Sequence, residues 1–210
     1  MAAYPPGGTY FDNGKRSFTQ VPMNASKDNA ISTSEYLEAS EALTGLFDVL
    51  GQTAFSPIKK DMIQNIKKIR DRQLQAPLES ETLQDLVRNE LKAKKHLATE
   101  GLLWLTRQVH HPSSRILATR ALRRNLTQPN EELSVSFRDA YGLTLKQYHS
   151  FIIKPIFSAA MSACPYRKDF YGKLGDDEGR VKKDLDEWLR ALEDRVRVLN
   201  EFLAKPEAKW

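Results

Sequence analysis

The sequence predicts an all-α fold, and three observations carry that reading. Apolar residues recur at helical spacing along most of the chain beyond residue 30, most clearly at Val181, Leu185, Trp188, Leu192, Val196, Leu199 and Phe202. Helix start signals precede several of these stripes, among them Ser56-Pro57 and Thr144. No alternation of apolar and polar residues is long enough to predict a strand.

Taken in order, residues 1–30 are rich in Gly, Pro, Ser and Asn and read as an irregular arm anchored by Tyr10, Phe11 and Phe18. Residues 31–210 read as one domain. Ser32 or Thr33 caps a helix through Tyr36, Leu37, Leu43, Leu46, Phe47 and Leu50. Ser56-Pro57 opens a second, which ends before Pro77. A third starts near Ser80, with Glu81 and Asp85 at its positive end and Leu83, Leu86, Val87 and Leu91 along it. A fourth carries Leu97, Leu102, Leu103, Trp104 and Leu105. Pro112 breaks that pattern, and Ser113 or Ser114 starts a helix holding Ile116, Leu117 and Leu122. Glu131 to Tyr141 form another. Thr144 caps the next, with Tyr148, Phe151, Ile152 and Ile156, and the Val181–Phe202 stripe forms the last.

The chain has 210 residues, 40% of them hydrophobic, which is enough for one core with room for a cavity. No run of about 18 apolar residues occurs, so no membrane-spanning helix is expected. Met1 to Phe11 lack the basic segment and apolar run of a secretory signal. The one cysteine, Cys164, permits no internal disulfide, and a cytosolic location is expected. A net charge of +5 and a pI near 9.2 favour anionic surfaces without choosing between membrane and nucleic acid.

Chemistry finds little footing. There is no Gly-rich phosphate loop and no ligand set with metal spacing. His110 and His111 are adjacent, so on a helix they diverge by about 100° and do not share a metal. Cys164, in Ala163-Cys164-Pro165-Tyr166, reads as a small core residue. No catalytic residue, metal or cofactor is expected, and the protein is not expected to be an enzyme.

One constellation stands out. Ile58, Met62, Ile66 and Ile69 form an apolar stripe, and Asp61, Asn65 and Lys68 run beside it as a polar ladder. Asp accepts hydrogen bonds, Asn donates and accepts, and Lys donates. Sugar hydroxyls need that mixture. By spacing alone, a solvated face laced with charge pairs is the favoured reading.

Further motifs decide between these. Leu46-Phe47-Asp48-Val49-Leu50-Gly51 is followed by Phe55-Ser56-Pro57-Ile58-Lys59-Lys60-Asp61. Asp61, Asn65 and Lys68 then match an Asp-x-x-x-Asn-x-x-Lys helix, and Leu103-Trp104-Leu105-Thr106-Arg107 a tryptophan motif. Tyr148-His149, Ile156 to Ala160, and Ala163 to Phe170 follow in order. Across residues 36–204 the chain resembles the glycolipid transfer protein family, and Lys154-Pro155-Ile156-Phe157 with the terminal Lys209-Trp210 is similar to its fungal branch, which includes heterokaryon-incompatibility proteins.

The resemblance implies an all-helical two-layer sandwich of about eight helices, with a sugar site at the surface and an apolar pocket for lipid chains between the layers. Trp104 would be the platform on which the first sugar stacks. Asn65 and Lys68 would bind sugar hydroxyls, and Asp61 and His149 would orient the ceramide amide. Phe157 would line the chain pocket, Phe151 with nearby Lys154 would meet the membrane, and Trp210 would lie beside the headgroup. The implied partners are a glycosphingolipid and a transiently touched membrane, with the protein a monomer. The sequence departs from the family at Gln108 to Ser114, where the family helix continues unbroken.

A carrier of this kind answers a physical need. Each methylene exposed to water costs about 0.8 kcal/mol, so a two-chain lipid of about thirty methylenes faces roughly 24 kcal/mol on leaving a bilayer alone. Two rivals remain. A phosphorylated sphingolipid such as ceramide phosphate calls for Arg or Lys clamps, whereas a tryptophan platform suits a sugar. A helical scaffold or nucleic-acid binder would use Lys92-Ala93-Lys94-Lys95 and Arg120 to Arg124, but these runs lack interleaved aromatics, and no nucleic-acid partner is expected.

Overall fold

The computed structural model describes Tyr4, residues 6–13, 16–106, 114–147 and 149–210. The chain is all-α, as expected. Its helices are α1 (Tyr10–Asn13), α2 (Thr33–Gln75), α3 (Leu83–Lys92), α4 (Leu97–Thr106), α5 (Ser114–Thr127), α6 (Leu133–Leu143), α7 (Ile153–Ser162), α8 (Arg167–Leu174) and α9 (Glu178–Ala204). Among the described residues, none is long and apolar enough to cross a membrane.

Two helical groups share one core. In the first, α2 packs along α4, and α3 lies against α4. In the second, α5 packs along α6, with α7 beside it. Helix α9 touches α4, α5 and α8, so it ties the groups together. Its Val181, Leu185, Leu189, Leu192 and Leu199 are buried, as the spacing predicts. Aromatic rings cross between the groups: Phe55 of α2 lies 5.6 Å from Phe137 of α6, edge to face.

Several boundaries differ from expectation. Helix α2 runs through Ser56-Pro57 instead of starting there. It breaks earlier, at Gly51, whose φ of 137° and ψ of 91° leave the helical region. A residue without Cβ enters that positive-φ region far more easily than any other, so the chain bends there and is already helical at Pro57. Helix α3 starts beyond Ser80, because Thr82 provides the cap: its hydroxyl accepts from the Asp85 N–H. Thr144 ends α6 instead of starting a helix, and its hydroxyl donates to the Ala140 carbonyl at 2.6 Å. The next helix, α7, starts at Ile153, which leaves Phe151 and Ile152 in the connection before it. Pro155 explains the shift. It lacks an N–H and is tolerated in a first turn but not in a helix interior. Helix α8, which the periodicity did not single out, follows Pro165. The break expected at Pro112 lies outside the described residues, and α5 begins at Ser114 beyond it.

The N-terminal arm packs on this frame. Phe18 is fully buried between Tyr36 and Trp188, with ring centroids 6.0 and 5.5 Å away. Phe11 lies 5.8 Å from Trp188, and the Tyr10 hydroxyl donates to the Ala42 carbonyl at 2.8 Å. A two-residue antiparallel ladder pairs β1 (Met23–Asn24) with β2 (Ala30–Ile31), a pairing too short to show as alternation. The arm thus straps α9 to α2.

Candidate functional site

The polar ladder is built before any ligand arrives. On α2, Asn65 is 4% exposed, and its side-chain amide donates to the Asp61 carbonyl at 3.0 Å and to Asp61 Oδ1 at 3.4 Å. Asp61 stays open to solvent at the surface while protein crowds around it. That desolvation raises its carboxyl pKa, and the Lys68 charge and the Asn65 hydrogen bond offset part of the rise. Lys68 reaches across to α4, where its Nζ lies 3.7 Å from Glu100 Oε2.

Helix α4 comes unusually close to this ladder because of one glycine. A Cβ on Gly101 would lie 2.9 Å from the Asn65 carbonyl oxygen and 3.2 Å from Lys68 Cβ. Only a residue without that atom fits there unstrained. Trp104 stands one turn farther along α4 and is 40% exposed. The ring is therefore neither a core residue nor a free surface one.

The start of α4 is held by a residue that periodicity does not mark. Glu90, on α3, is 2% exposed. Its carboxylate accepts from the Ala98 N–H at 2.9 Å, the Thr99 N–H at 2.7 Å and the Thr99 hydroxyl at 2.7 Å. These N–H groups have no partner inside their own helix, and a negative charge suits the positive helix end. Glu90 thus fixes the direction of the helix that carries Trp104.

A second cluster surrounds His149, in the connection before α7. Its ring lies 4.4 Å from that of Phe157 and 5.6 Å from that of Tyr141, and Tyr141 stacks on Phe157 at 5.4 Å. Burial chiefly, and the Lys154 charge secondarily, lower the His149 pKa, so the ring is neutral at neutral pH. Burial raises the Tyr141 pKa, so its phenol keeps its proton. With 3.0 Å between them, Tyr141 can donate to Nδ1, which leaves the imidazole proton on Nε2. Neutral His149 is then a single, oriented donor. Its sequence neighbour Tyr148 lies outside the described residues.

The remaining candidates fall in distinct places. Phe157 is half-buried and packs against the core. Phe151 is 83% exposed and Lys154 is exposed beside it in sequence. Trp210 stacks on His96 with centroids 5.4 Å apart. His96 precedes α4 and accepts from the Glu100 N–H, so Trp210 sits at the opposite end of that helix from Trp104, about 12 Å along its axis. A cleft of about 370 Å³ lined by Lys68, Lys95 and His96 opens at the His96 end of that helix. Arg88 holds the tail there by donating to both Glu207 carboxylate oxygens at 3.0 Å. Sequence reasoning did not single out Glu90, Glu100, Gly101 or Tyr141. Of these, only Gly101 left a signal, as a glycine inside a helical pattern.

Comparison with known proteins agrees with this architecture. A family model described as glycolipid transfer protein matches residues 31–176. A glycolipid transfer protein of Aureobasidium melanogenum is 65% identical over 210 residues, which is all of both chains. The crystal structure of HET-C2, a fungal glycolipid transfer protein, superposes with a TM-score of 0.87 at 57% identity, covering 96% of this chain and 100% of that one. The glycolipid-transfer-fold domain of FAPP2, described as selecting simple glycosphingolipids, superposes with a TM-score of 0.81 at 27% identity over 96% of this chain and 98% of that one.

Proposed function

The chain belongs to the glycolipid transfer protein family, and from that premise we propose that it carries a simple glycosphingolipid between membranes without covalent chemistry. The observation that carries the reading is the seam between α2 and α4. There Gly101 brings the Trp104 helix against a ladder already hydrogen-bonded through Asp61 and Asn65. In this reading Trp104 is the sugar platform, Asn65 and Lys68 hold hydroxyls, Asp61 accepts the amide N–H, and His149 donates through Nε2 to the amide carbonyl. Phe157 would line the chain pocket, and Trp210, stacked on His96, would lie beside the headgroup.

The same reading assigns membrane contact to Phe151 and Lys154, and it takes the protein as a cytosolic monomer. Residues 31–210 form the carrying domain and residues 1–30 its brace. A nucleic-acid role has less support. Arg123 pairs with Asp186 and Glu193, and Arg124 with Glu131 and Asp139, so these cations of the basic run are engaged within the protein. A phosphorylated headgroup is disfavoured because Lys68 faces Glu100 and the neighbouring acceptor is a carboxylate.

The test is one vesicle-to-vesicle transfer assay with labelled galactosylceramide, ceramide phosphate and phosphatidylcholine. Galactosylceramide should move fast and the others slowly. Equal transfer of ceramide phosphate would overturn the headgroup assignment, and no transfer of any lipid would overturn the carrier.

A further inference from the structure

Outside the sugar and amide site, a groove of about 500 Å³ opens between the end of α6 and the start of α7. Its walls include Tyr141, Phe151 and Met161, and its rim carries Arg138, Lys146 and Lys154. Among the described residues the lining holds these three cations and no carboxylate. Arg138 is steadied by donating from Nη2 to the Ser162 hydroxyl at 2.7 Å. The same corner of the fold exposes apolar side chains: Leu143 at the end of α6, Ile152 in the connection, and Ile156 on α7.

This combination selects its occupant. Cations alone would suit any anion, and an apolar patch alone any greasy partner. A cationic groove set within an apolar edge fits the layered chemistry of a bilayer surface, where phosphates lie just above hydrocarbon. Tyr141 adds a link. It lines the groove and also hydrogen-bonds Nδ1 of His149. We propose that the groove binds the phosphate of an anionic phospholipid still in the membrane, and that Tyr141 puts that lipid in contact with the amide site at His149. The proposal rests on the carrier reading above. It makes docking specific to a headgroup where a surface charge alone would act diffusely, and it couples docking to the residue that orients cargo.

The test uses the full chain with phosphatidylcholine vesicles, with and without phosphatidylglycerol. Partition should fall about twenty-fivefold for R138Q/K146Q on the anionic vesicles, from about a fivefold loss per cation. It should not change on phosphatidylcholine alone. A control variant, K182Q/K183Q on α9, should stay within about twofold of native. Helix content and galactosylceramide binding in detergent serve as the check that R138Q/K146Q folds. Equal losses in both variants would mean a diffuse field, and no loss in R138Q/K146Q would mean an idle groove; either overturns the proposal. A second readout is the His149 imidazole resonance. Dihexanoyl-phosphatidylglycerol below its micellar concentration should shift it in the native chain but not in R138Q/K146Q. An equal shift with inorganic phosphate would overturn the lipid assignment. Should the native chain fail to transfer galactosylceramide between neutral vesicles, the carrier reading falls, while partition and resonance still decide the groove.

Discussion

Replacing Glu90 probes how the site is held, at a distance from the ligand. Its carboxylate is nearly inaccessible and accepts three hydrogen bonds, from Ala98 N–H, Thr99 N–H and the Thr99 hydroxyl. A hydrogen bond to a charged group contributes about 1.5–3 kcal/mol, but bonds sharing one acceptor do not add. Glu90→Ala strands two backbone donors at the buried start of α4 and leaves a void, so a loss of about 3–5 kcal/mol follows. At about 2–4 °C per kcal/mol for a chain of this size, the melting temperature should fall by about 6–20 °C. Glu90→Gln keeps one acceptor but turns an amide N–H₂ toward a backbone donor, and should lose about half as much. Denaturant unfolding followed by circular dichroism measures both. At temperatures where Glu90→Gln is still folded, it should also bind galactosylceramide more weakly, because α4 carries Trp104. A Glu90→Ala protein within about 0.5 kcal/mol of native would refute the reasoning, since that is the range of an ordinary surface substitution.

Trp104→Ala should abolish most glycolipid transfer with helix content nearly intact; unfolding, or normal transfer, would remove the ring from the sugar site. Asp61→Val should weaken binding of simple ceramide glycosides by about one to two decades, as loss of a charged acceptor predicts. Because burial raises the Asp61 pKa, its ionised form is disfavoured in the folded chain, so the valine variant should be no less stable than native at neutral pH. Calorimetric binding beside thermal melts reads both effects, and a variant that binds as well as native would rule the role out. His149 titrates in the opposite sense. Its pKa lies below the ordinary 6.5, so the unfolded chain takes up the proton more readily. The stability held by neutral His149 is therefore complete above that value and declines as pH falls below it. Unfolding free energies between about pH 7.5 and 5 should show that decline in native protein and a smaller one in His149→Asn; parallel curves would contradict it. Phe151→Ala should slow transfer and reduce vesicle partition while sparing binding of detergent-dispersed glycolipid. Equal partition with and without the ring would move the docking surface elsewhere.

Much of the frame is legible because burial follows helical spacing. The α9 stripe from Val181 to Phe202 is read correctly, since each of its apolar residues is buried on one face. Punctuation is less legible. Ser56-Pro57 is a fair start signal, but Gly51 upstream adopts a conformation that only tertiary packing selects. Thr144 resembles a cap and ends a helix instead, because Pro155 confines the next start to its own first turn. The ladder of Asp61, Asn65 and Lys68 is visible as spacing within one helix. Its partners are invisible for the same reason: Glu100, Gly101 and Glu90 meet it, or serve it, from other helices, as Tyr141 serves His149. A contact between separate elements leaves no periodic trace in a single sequence.

The two ends of the carrier's task call for opposite physical properties, and the structure distributes them accordingly. Recognition gains from order fixed in advance, because ordering side chains at binding costs about 0.5–1.5 kcal/mol for each one immobilised. Asn65 is already buried and bonded to Asp61, Lys68 already faces Glu100, and His149 already holds Tyr141. A headgroup that matches these groups binds with little further ordering, while one that does not leaves buried donors and acceptors unpaired. Docking gains from the reverse. Phe151 and Ile152 project from a short connection and are largely exposed, which in the proposed reading lets them enter a bilayer without disturbing the core and leave it again. Were the apolar edge as extensive as the core, release would be slow. Were the ladder as loose as the edge, burial of the chains would retain any lipid of suitable shape. In the proposed reading, selectivity rests on the α2–α4 seam together with His149, and turnover on the corner before α7, where Tyr141 lines the groove and hydrogen-bonds His149.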